Sequence, residues 1–301
     1  MTDRIRVGTR QSALARAQTE TVLRTLRRAA PSRTFEPVGV ETSGDRDRTP
    51  GASPDFTDAI DRALLRGDID LAVHSAKDLP VALDRRLALW ASPPRVDPRD
   101  CLVIGGRARR GGLVRGARVG SSSSRRRAQL LRWRPDLRVV EVRGNVDTRI
   151  SRVRHGDLDA AILAVAGIRR LGRADEISRV LPSDDFVPAP AQGALAVVGR
   201  AGDRELATLV RRLNHAPTLA AVRAERAFAE ALGGDCEVPL GAVATVRGPS
   251  LSVVGEVLTP EGRTRLRGRR RGAASSPESI GAALGRQLLD QGADELLRAR
   301  R

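Results

Sequence analysis

The chain has 301 residues, of which 41% are hydrophobic and only 2% aromatic, so its core must consist mainly of Leu, Val, Ile and Ala. This length suffices for two or three domains. The formal net charge of +17 suggests an anionic partner, either nucleic acid or a small polycarboxylate or phosphate ligand. Aromatic side chains that could stack on bases are scarce, which disfavours nucleic acid. A solvated arginine surface is the alternative explanation of the charge.

The first part of the chain alternates between strand and helix patterns. Residues 5–8, 38–42 and 69–73 have the composition of strands. Ser12 is placed to cap a helix that extends to about Arg28, and apolar residues at helical spacing follow Phe56. This β-α-β-α-β order predicts a parallel sheet with right-handed crossovers.

Prolines at positions 93, 94 and 98 indicate a domain boundary, after which the same pattern starts again. Residues 117–120, 137–142 and 160–165 have strand patterns, and residues 125–133 have a helix pattern. A second Pro/Gly-rich crossing at 187–193 is expected to return the chain to the first domain.

From Leu206 onward the pattern changes to one long helical stretch, strands at 251–258 and 263–271, and a last helix from Pro277. We therefore predict three domains: an α/β domain of residues 1–93 and 190–211, an α/β domain of residues 97–188, and a smaller α+β domain of residues 214–301. Two α/β domains joined by two crossings would form a cleft that can hinge.

The only lysine of the chain, Lys77, follows the buried strand at 69–73 and directly precedes Asp78. Lysine is a compact point charge whose pKa moves readily, whereas the guanidinium group is a broad and permanently charged fork. A charged pair where a buried strand ends is also where open α/β sheets bind ligands. A surviving surface lysine beside a turn-forming Asp-Leu-Pro remains the alternative.

Three further segments place arginines directly after a strand. Arg10 lies in a segment that opens the first helix, and an arginine run from Arg125 opens a helix of the second domain. Helix N-termini bind anions, and arginine can hold a carboxylate with two hydrogen bonds. The third segment holds Arg143 and Arg149 around Gly144. The alternatives are an ordinary helix cap, a solvated arginine run and a tight turn with exposed arginines.

Two cysteines, Cys101 and Cys236, lie far apart in unlike contexts, which indicates neither a disulfide framework nor a zinc site. Cys236 follows a glycine-bearing turn, where a thiol can become a nucleophile or an attachment point. A semi-buried structural cysteine is the alternative. The chain begins without an apolar signal segment and contains no apolar run long enough to span a membrane, so we expect a cytoplasmic protein.

Taken together and in order, these segments closely resemble the porphobilinogen deaminase family, also called hydroxymethylbilane synthases. Any one of the segments could arise by chance, whereas the ordered set is specific. The matching segments span almost the whole chain and are residues 9–12, 43–45, 73–80, 97–100, 121–126, 143–149, 163–167, 192–194, 224–227 and 234–239.

The resemblance implies a transferase of haem biosynthesis that joins four porphobilinogen molecules head to tail, with release of ammonia, into a linear tetrapyrrole. It implies a dipyrromethane cofactor held as a thioether on Cys236. It also implies that Asp78 is catalytic, because its carboxylate would stabilise the cation that ammonia loss leaves and would manage protons. The fold class implied is α/β, with two periplasmic-binding-protein-like α/β domains around a hinged cleft and a smaller C-terminal α+β domain.

The remaining site residues are also implied by the resemblance. The predicted cofactor ligands are Asp45, Ser75, Lys77, Ser121, Ser122, Ser123, Arg125, Arg126 and Gln192. The predicted substrate ligands are Arg10, Ser12, Arg143, Asn145, Arg149 and Arg170. No metal, nucleic-acid or membrane partner is expected, and the resemblance suggests a monomer.

The chain departs from the family pattern at residues 46–55, which form a segment about five residues shorter than usual, without its Gly-Gly pair or lysines. Because this segment corresponds to a mobile loop, a divergent member with weakened or altered activity is an alternative. A polyanion or nucleic-acid binder without enzyme activity is a second alternative, suggested only by the charge. A solute-binding protein of the same architecture is disfavoured because no export signal is present.

Overall fold

The computed structural model describes residues 4–43, 57–106, 112–234 and 238–298. The chain forms two compact units, one of residues 1–96 and 194–219 and the other of residues 97–193 and 220–301. Within the described ranges, no helix is both long and apolar enough to cross a bilayer.

The regular elements are numbered in chain order. The strands are β1 (Arg4–Arg10), β2 (Thr34–Val40), β3 (Leu71–Ser75), β4 (Leu87–Ala91), β5 (Asp100–Ile104), β6 (Arg118–Gly120), β7 (Arg138–Val140), β8 (Ala160–Ala164), β9 (Arg179–Val180), β10 (Leu195–Arg200), β11 (Leu240–Arg247), β12 (Ser250–Leu258) and β13 (Arg265–Ala273). The helices are α1 (Ala13–Ala29), α2 (Asp58–Arg66), α3 (Ser124–Trp133), α4 (Val146–Arg154), α5 (Val165–Arg170), α6 (Arg204–Val210), α7 (Ala216–Ala231), α8 (Pro277–Asp290) and α9 (Ala293–Arg298).

The first unit contains a five-stranded mixed sheet in the order β2-β1-β3-β10-β4. Strand β1 pairs in parallel with β2 and β3, as the alternating sequence pattern predicts. Helix α1 buries Val22, Leu23 and Leu26 in the core of this unit, together with Val7 and Leu71 from the sheet. Strands β4 and β10 were not predicted, and β10 runs antiparallel to both of its neighbours because the chain returns from the second crossing in the opposite direction.

The second unit repeats this arrangement in a sheet ordered β7-β6-β8-β5-β9. Strand β6 pairs in parallel with β7 and β8, and β5 runs antiparallel to β8 and β9. Each sheet therefore has three parallel strands and an antiparallel strand that lies next to the edge. The fully buried side chains of Val119 and Leu130 pack on one side of the sheet, whereas Ile150 and Val165 belong to a second apolar cluster.

Residues 240–273 add an antiparallel sheet in the order β11-β12-β13 to the second unit. Its inner face packs on α7 and α8 through Val253, Phe228 and Leu284, all fully buried. Gly255 permits this contact, because a Cβ atom at that position would lie 2.5 Å from the Phe228 ring. The outer face carries polar and charged side chains.

The predicted α/β class with a smaller C-terminal α+β part is confirmed, while some element boundaries were wrong. The helical stretch from Leu206 is two helices, since Asn214 has an extended backbone and Pro217 lies in the first turn of α7, where proline is tolerated. Strand β2 lies at 34–40 rather than 38–42, and β11 was missed. The three-domain boundaries and the hinged cleft stay predictions.

Candidate functional site

The first unit presents a polar cluster where β3 ends. A single 3-10 turn of residues 76–78 follows the strand, and its Ala76 N–H donates to the carbonyl of Ala194 at 3.0 Å. Ser75, Lys77 and Asp78 are half-buried, while Leu79 is buried beneath the turn. Among the described residues, none forms a hydrogen bond or ion pair with the Asp78 carboxylate. The turn therefore holds an available carboxylate at a fixed position beside the lysine.

The side chains around this turn have defined partners. The Ser75 hydroxyl accepts a hydrogen bond from Gln18 Nε2 at 2.7 Å. Ser12 caps α1, with its Oγ accepting from the Ala15 N–H at 3.2 Å. Because β1 and β3 are parallel, with Gly8 opposite Ala72, Arg10 and His74 lie at the same end of the sheet.

The structure adds His74 to this polar cluster, a residue for which the sequence analysis predicted no role. It is buried, and its Nε2 atom has no hydrogen-bond partner within the described ranges. Burial, and to a smaller extent the positive charge of Arg10, lowers the pKa of His74 to about 4. The imidazole is therefore neutral at physiological pH, and it adds no charge at this end of the sheet.

The second unit contains a buried ion-pair cluster between β5 and the first turn of α3. Arg125 Nη1 lies 2.8 Å from Asp100 Oδ2, and Arg126 Nη2 lies 2.7 Å from Asp100 Oδ1. Ser123 caps α3 and accepts from the Arg126 N–H at 3.4 Å. Burial alone would raise the pKa of Asp100, but the charges of the two arginines outweigh it and hold the pKa well below its usual range.

Three amide and carboxyl side chains extend this cluster. Gln192 Nε2 donates to Asp100 Oδ1 at 2.8 Å, next to the second crossing. Gln129 accepts from Arg125 Nη1 at 2.8 Å and donates to Glu256 Oε1 of β12 at 2.7 Å. Burial raises the pKa of Glu256. The network thus links the second sheet to the C-terminal sheet through polar groups that are all buried.

Two half-buried arginines in the same unit have no carboxylate partner among the described residues. Arg149 donates to Ser122 Oγ at 2.9 Å and to the Gly144 carbonyl at 3.0 Å. Burial, with the positive charges of Arg126 and Arg143, lowers its pKa to about 10. Arg170 donates to the Gly193 carbonyl at 2.8 Å. Burial lowers its pKa to about 10 as well. Such uncompensated cations favour a bound anion.

The other predicted ligands of this unit shape the loops. Asn145 caps α4, and its Oδ1 accepts from the Thr148 N–H at 2.9 Å. Ser121 Oγ accepts from the Ser123 N–H at 3.2 Å. Arg143 pairs with the exposed Glu141 at 3.0 Å. These contacts fix the loop conformations and leave further donor atoms on the serines and the amide.

The structure brings some of the predicted site residues together, and others lie outside the described residues. It brings together Ser75, Lys77 and Asp78 in one unit, and Ser122 with Arg149 in the other. Asp45, Cys236 and the short 46–55 segment lie outside the described residues. Arg125 and Arg126 already have a protein partner in Asp100, so their role as cofactor ligands stays a prediction.

Sequence reasoning assigned no function to Asp100 or Cys101. The motif at 97–100 was the available signal for Asp100, but a short local motif does not reveal partners that lie 25 or more residues away in the chain. Burial, followed by the negative charge of Asp100, raises the pKa of Cys101 to about 12, and its Sγ donates to the Leu163 carbonyl. Cys101 is therefore an unreactive core residue.

Replacing Asp100 by Asn should destabilise the protein by about 3 kcal/mol or more, because two arginines would be left buried without a counter-charge. The measurement is the shift of the urea unfolding midpoint. Asp84→Asn is the matched control, since Asp84 pairs with Arg86 on an exposed surface and its loss should change the midpoint little. Equal shifts for the two variants would contradict the prediction.

Lowering the pH from about 7 to about 5 should reduce the stability of the wild type relative to His74→Gln by about 2 kcal/mol. The pKa of His74 is lower in the folded than in the unfolded state, so protonation of this residue favours the unfolded chain. The free energy of unfolding is therefore unaffected by this residue above the unfolded-state pKa and falls as the pH drops below it. Unfolding free energies at several pH values provide the measurement. The control is His155→Gln, at an exposed position, which should keep the wild-type dependence of the unfolding free energy on pH. A wild-type pH dependence in His74→Gln as well would show that His74 is not the residue responsible.

Comparisons with known proteins identify the family of this chain. Residues 5–208 match the family model described as porphobilinogen deaminase, dipyromethane cofactor binding domain, and residues 219–290 match porphobilinogen deaminase, C-terminal domain. The chain is 45% identical over 296 residues to a porphobilinogen deaminase of Roseiflexus sp., covering 97% of each chain. It is 44% identical to the Moorella thermoacetica enzyme, covering 97% of this chain and 95% of that one, and 43% identical to the Thermus thermophilus enzyme, covering 97% of both. With two family domains matched in order along nearly its whole length, the chain belongs to the porphobilinogen deaminase family.

Proposed function

We propose that this chain is a working hydroxymethylbilane synthase, which joins four porphobilinogen molecules head to tail and releases an ammonia molecule at each addition. The observation that carries this proposal is the available Asp78 carboxylate beside Lys77, in a chain whose half-buried Arg149 and Arg170 lack carboxylate partners among the described residues. Polycarboxylate pyrroles supply the negative charge that such a donor set favours. The relatives give no support to the alternative of a divergent member with weakened activity.

The family's dipyrromethane cofactor fits the donor set of the second unit. Each pyrrole of that group carries an acetate and a propionate. Arg149 and Arg170, proposed as substrate ligands, can hold the same carboxylates on the units that are added to the cofactor, because they have no protein carboxylate among the described residues. Ser122, which already bonds to Arg149, adds a hydroxyl. When bound, the cofactor supplies the free pyrrole end to which substrate units are joined. The proposed attachment point is the thiol of Cys236.

The other proposed cofactor ligands act by charge and hydrogen bonding. Lys77 offers three donors on a flexible stem, so it can follow a carboxylate within its reach. Arg125 and Arg126 share one carboxylate, Asp100, so this trio retains one net positive charge in a buried place. The hydrogen-bonding ligands proposed are Asp45, Ser75, Ser121, Ser122, Ser123 and Gln192.

Asp78 is the proposed catalytic group. Its carboxylate would stabilise the positive charge that develops on the substrate when ammonia leaves, and the fixed turn keeps it in place without reorganisation. It can also accept a proton from a pyrrole nitrogen or deliver one to the leaving amine. Substrate carboxylates would be held by Arg10, Ser12, Arg143, Asn145, Arg149 and Arg170.

Further properties belong to the same proposal. We expect a transferase that needs no metal ion, acts as a monomer in the cytoplasm and binds neither nucleic acid nor membranes in its reaction. No group of three or more metal-ligating side chains occurs in the part of the chain that the structure describes. The substrate partner proposed is porphobilinogen.

Intact-mass measurement of the purified protein should give an excess over the sequence mass equal to two deaminated porphobilinogen units. Because Cys236 is the proposed attachment point, Cys236→Ser should lack the excess. Cys101→Ala should retain it, since Cys101 is buried and engaged with Leu163. An unmodified wild-type mass after incubation with porphobilinogen would overturn the proposed function.

Asp78→Asn should lower kcat for ammonia release by about a hundredfold or more, because an amide does not stabilise the developing positive charge. Intact mass shows whether the variant carries the bound cofactor, so it separates a loss of catalysis from a failure of cofactor assembly. The rate and the mass excess of this variant should both be compared with those of the wild type. Asp84→Asn, which removes an exposed carboxylate of the same unit, should keep the wild-type rate. A rate for Asp78→Asn close to that of the control would refute the catalytic role.

A further inference from the structure

The outer face of the C-terminal sheet forms a concave basic surface that the reaction above does not use. We propose that this surface is a binding site for a linear oligophosphate, a chain of linked phosphate groups. The site is called here the arginine trough and is defined by Arg247, Arg267, Arg269 and Arg271 together with Thr245 and Ser252.

Strand geometry brings the arginines of the trough to one face. Side chains two residues apart point to the same side of a strand, so Arg267, Arg269 and Arg271 form one row along β13. The register places Arg271 opposite Ser252, and Ser252 opposite Thr245 of β11. Arg247 comes from the other edge strand, at the end of β11. The long side chains thus rise from both edges above Ser252 and Val254 of the middle strand, while Glu256 of that strand, opposite Arg267, is buried.

The arginine trough is deep enough to hold a ligand, and two valines form its floor. Val243 of the edge strand β11 and Val254 of the middle strand β12 lie opposite each other and are only half-buried, since α7 and α8 cover the other face of the sheet. The concavity above them has a volume of about 480 Å³. A space of this size can hold a ligand with several heavy atoms.

The charges in the trough are poorly compensated. Arg267 bonds to the backbone carbonyl of Asp184 and lies 3.4 Å from its exposed carboxylate. Arg247, Arg269 and Arg271 have no hydrogen-bond or ion-pair partner within the described ranges. The four arginines and one aspartate leave a net charge of +3 around one concavity, which repels itself unless an anion is bound.

Protection of a sheet edge is the competing explanation, because charged side chains on edge strands discourage pairing with another chain. That role would account for the arginines of β13. It would also account for Arg247, which lies on the opposite edge strand, but it would not require a concave surface floored by valine and hydroxyl side chains. The concavity between the arginines of the two edge strands therefore favours a ligand site.

The chemistry of the lining identifies the ligand class. Arginines two residues apart on β13 are spaced about 7 Å, so one row can bind successive anionic groups of a linear molecule. The terminal phosphates of an oligophosphate have three free oxygens and the internal ones have two, so the chain can accept at several points from guanidinium groups on the walls and hydroxyls on the floor, whereas a carboxylate has two oxygens in one plane. No aromatic side chain lines the trough, so nothing there would stack on a nucleobase.

The test is calorimetric titration of the cofactor-loaded protein with inorganic tripolyphosphate at fixed ionic strength. Arg269→Gln/Arg271→Gln should weaken binding about tenfold or more, because two charge-assisted hydrogen-bonding groups are removed. Arg24→Gln/Arg28→Gln removes the same charge from exposed positions of α1 and should bind like wild type. Orthophosphate and citrate, titrated in the same way, should bind more weakly than tripolyphosphate.

Each outcome decides the proposal. Equal weakening in both double variants would show a bulk charge effect and overturn it. Binding that is lost only in Arg149→Gln would place the anion at the cofactor site and would also overturn it. Citrate binding as tight as tripolyphosphate binding would refute the phosphate assignment. Circular dichroism and the intact mass show that each variant is folded and loaded, so a failure here is distinguishable from a failure of the proposed function.

Discussion

The second unit depends on one buried carboxylate. Asp100 begins β5, yet its side chain has no exposure to solvent, and it binds Arg125 and Arg126 from the first turn of α3. Cations at a helix N-terminus oppose the helix dipole, so this arrangement is unfavourable unless a negative charge lies against it. Asp100 provides that charge, and Gln192 joins the same carboxylate from the second crossing. The strand, the helix and the crossing are thereby held around one anion.

Arginine serves three distinct purposes in this chain, and its surroundings determine which. Arg125 and Arg126 are neutralised in part by Asp100 and contribute to packing. Arg149 and Arg170 are half-buried and donate to hydroxyl and carbonyl acceptors, with no carboxylate partner among the described residues, so their charge is available for the proposed anionic ligands. Arg267, Arg269 and Arg271 of β13 lie on the face of the C-terminal sheet opposite α7 and α8, where we propose the oligophosphate site. The net charge of +17 therefore reflects sites of different kinds as well as a solvated surface.

Several features were predictable from local pattern. The β-α-β alternation gave the parallel core of both α/β sheets, because hydrophobic periodicity and short connections constrain that topology. Ser12 was predicted to cap a helix and does so, whereas the helix caps at Ser123 and Asn145 became evident only in the structure. Strands β4, β5 and β10 were not predicted, because their pairing joins segments far apart in the chain and has no local signature.

The sequence by itself determined the family, the β-α-β core of both α/β sheets and the chemical types available at the site, since the motifs that carry them are contiguous segments. Only the tertiary structure decided which arginines are already paired, because a guanidinium group and its carboxylate need not be near in sequence, as Asp100 and Arg126 show. It also decided that His74 is neutral and Cys101 unreactive, since burial sets both pKa values. The arginine trough likewise depends on strand register, which brings Arg247 and Arg271 to one face although a hairpin separates them.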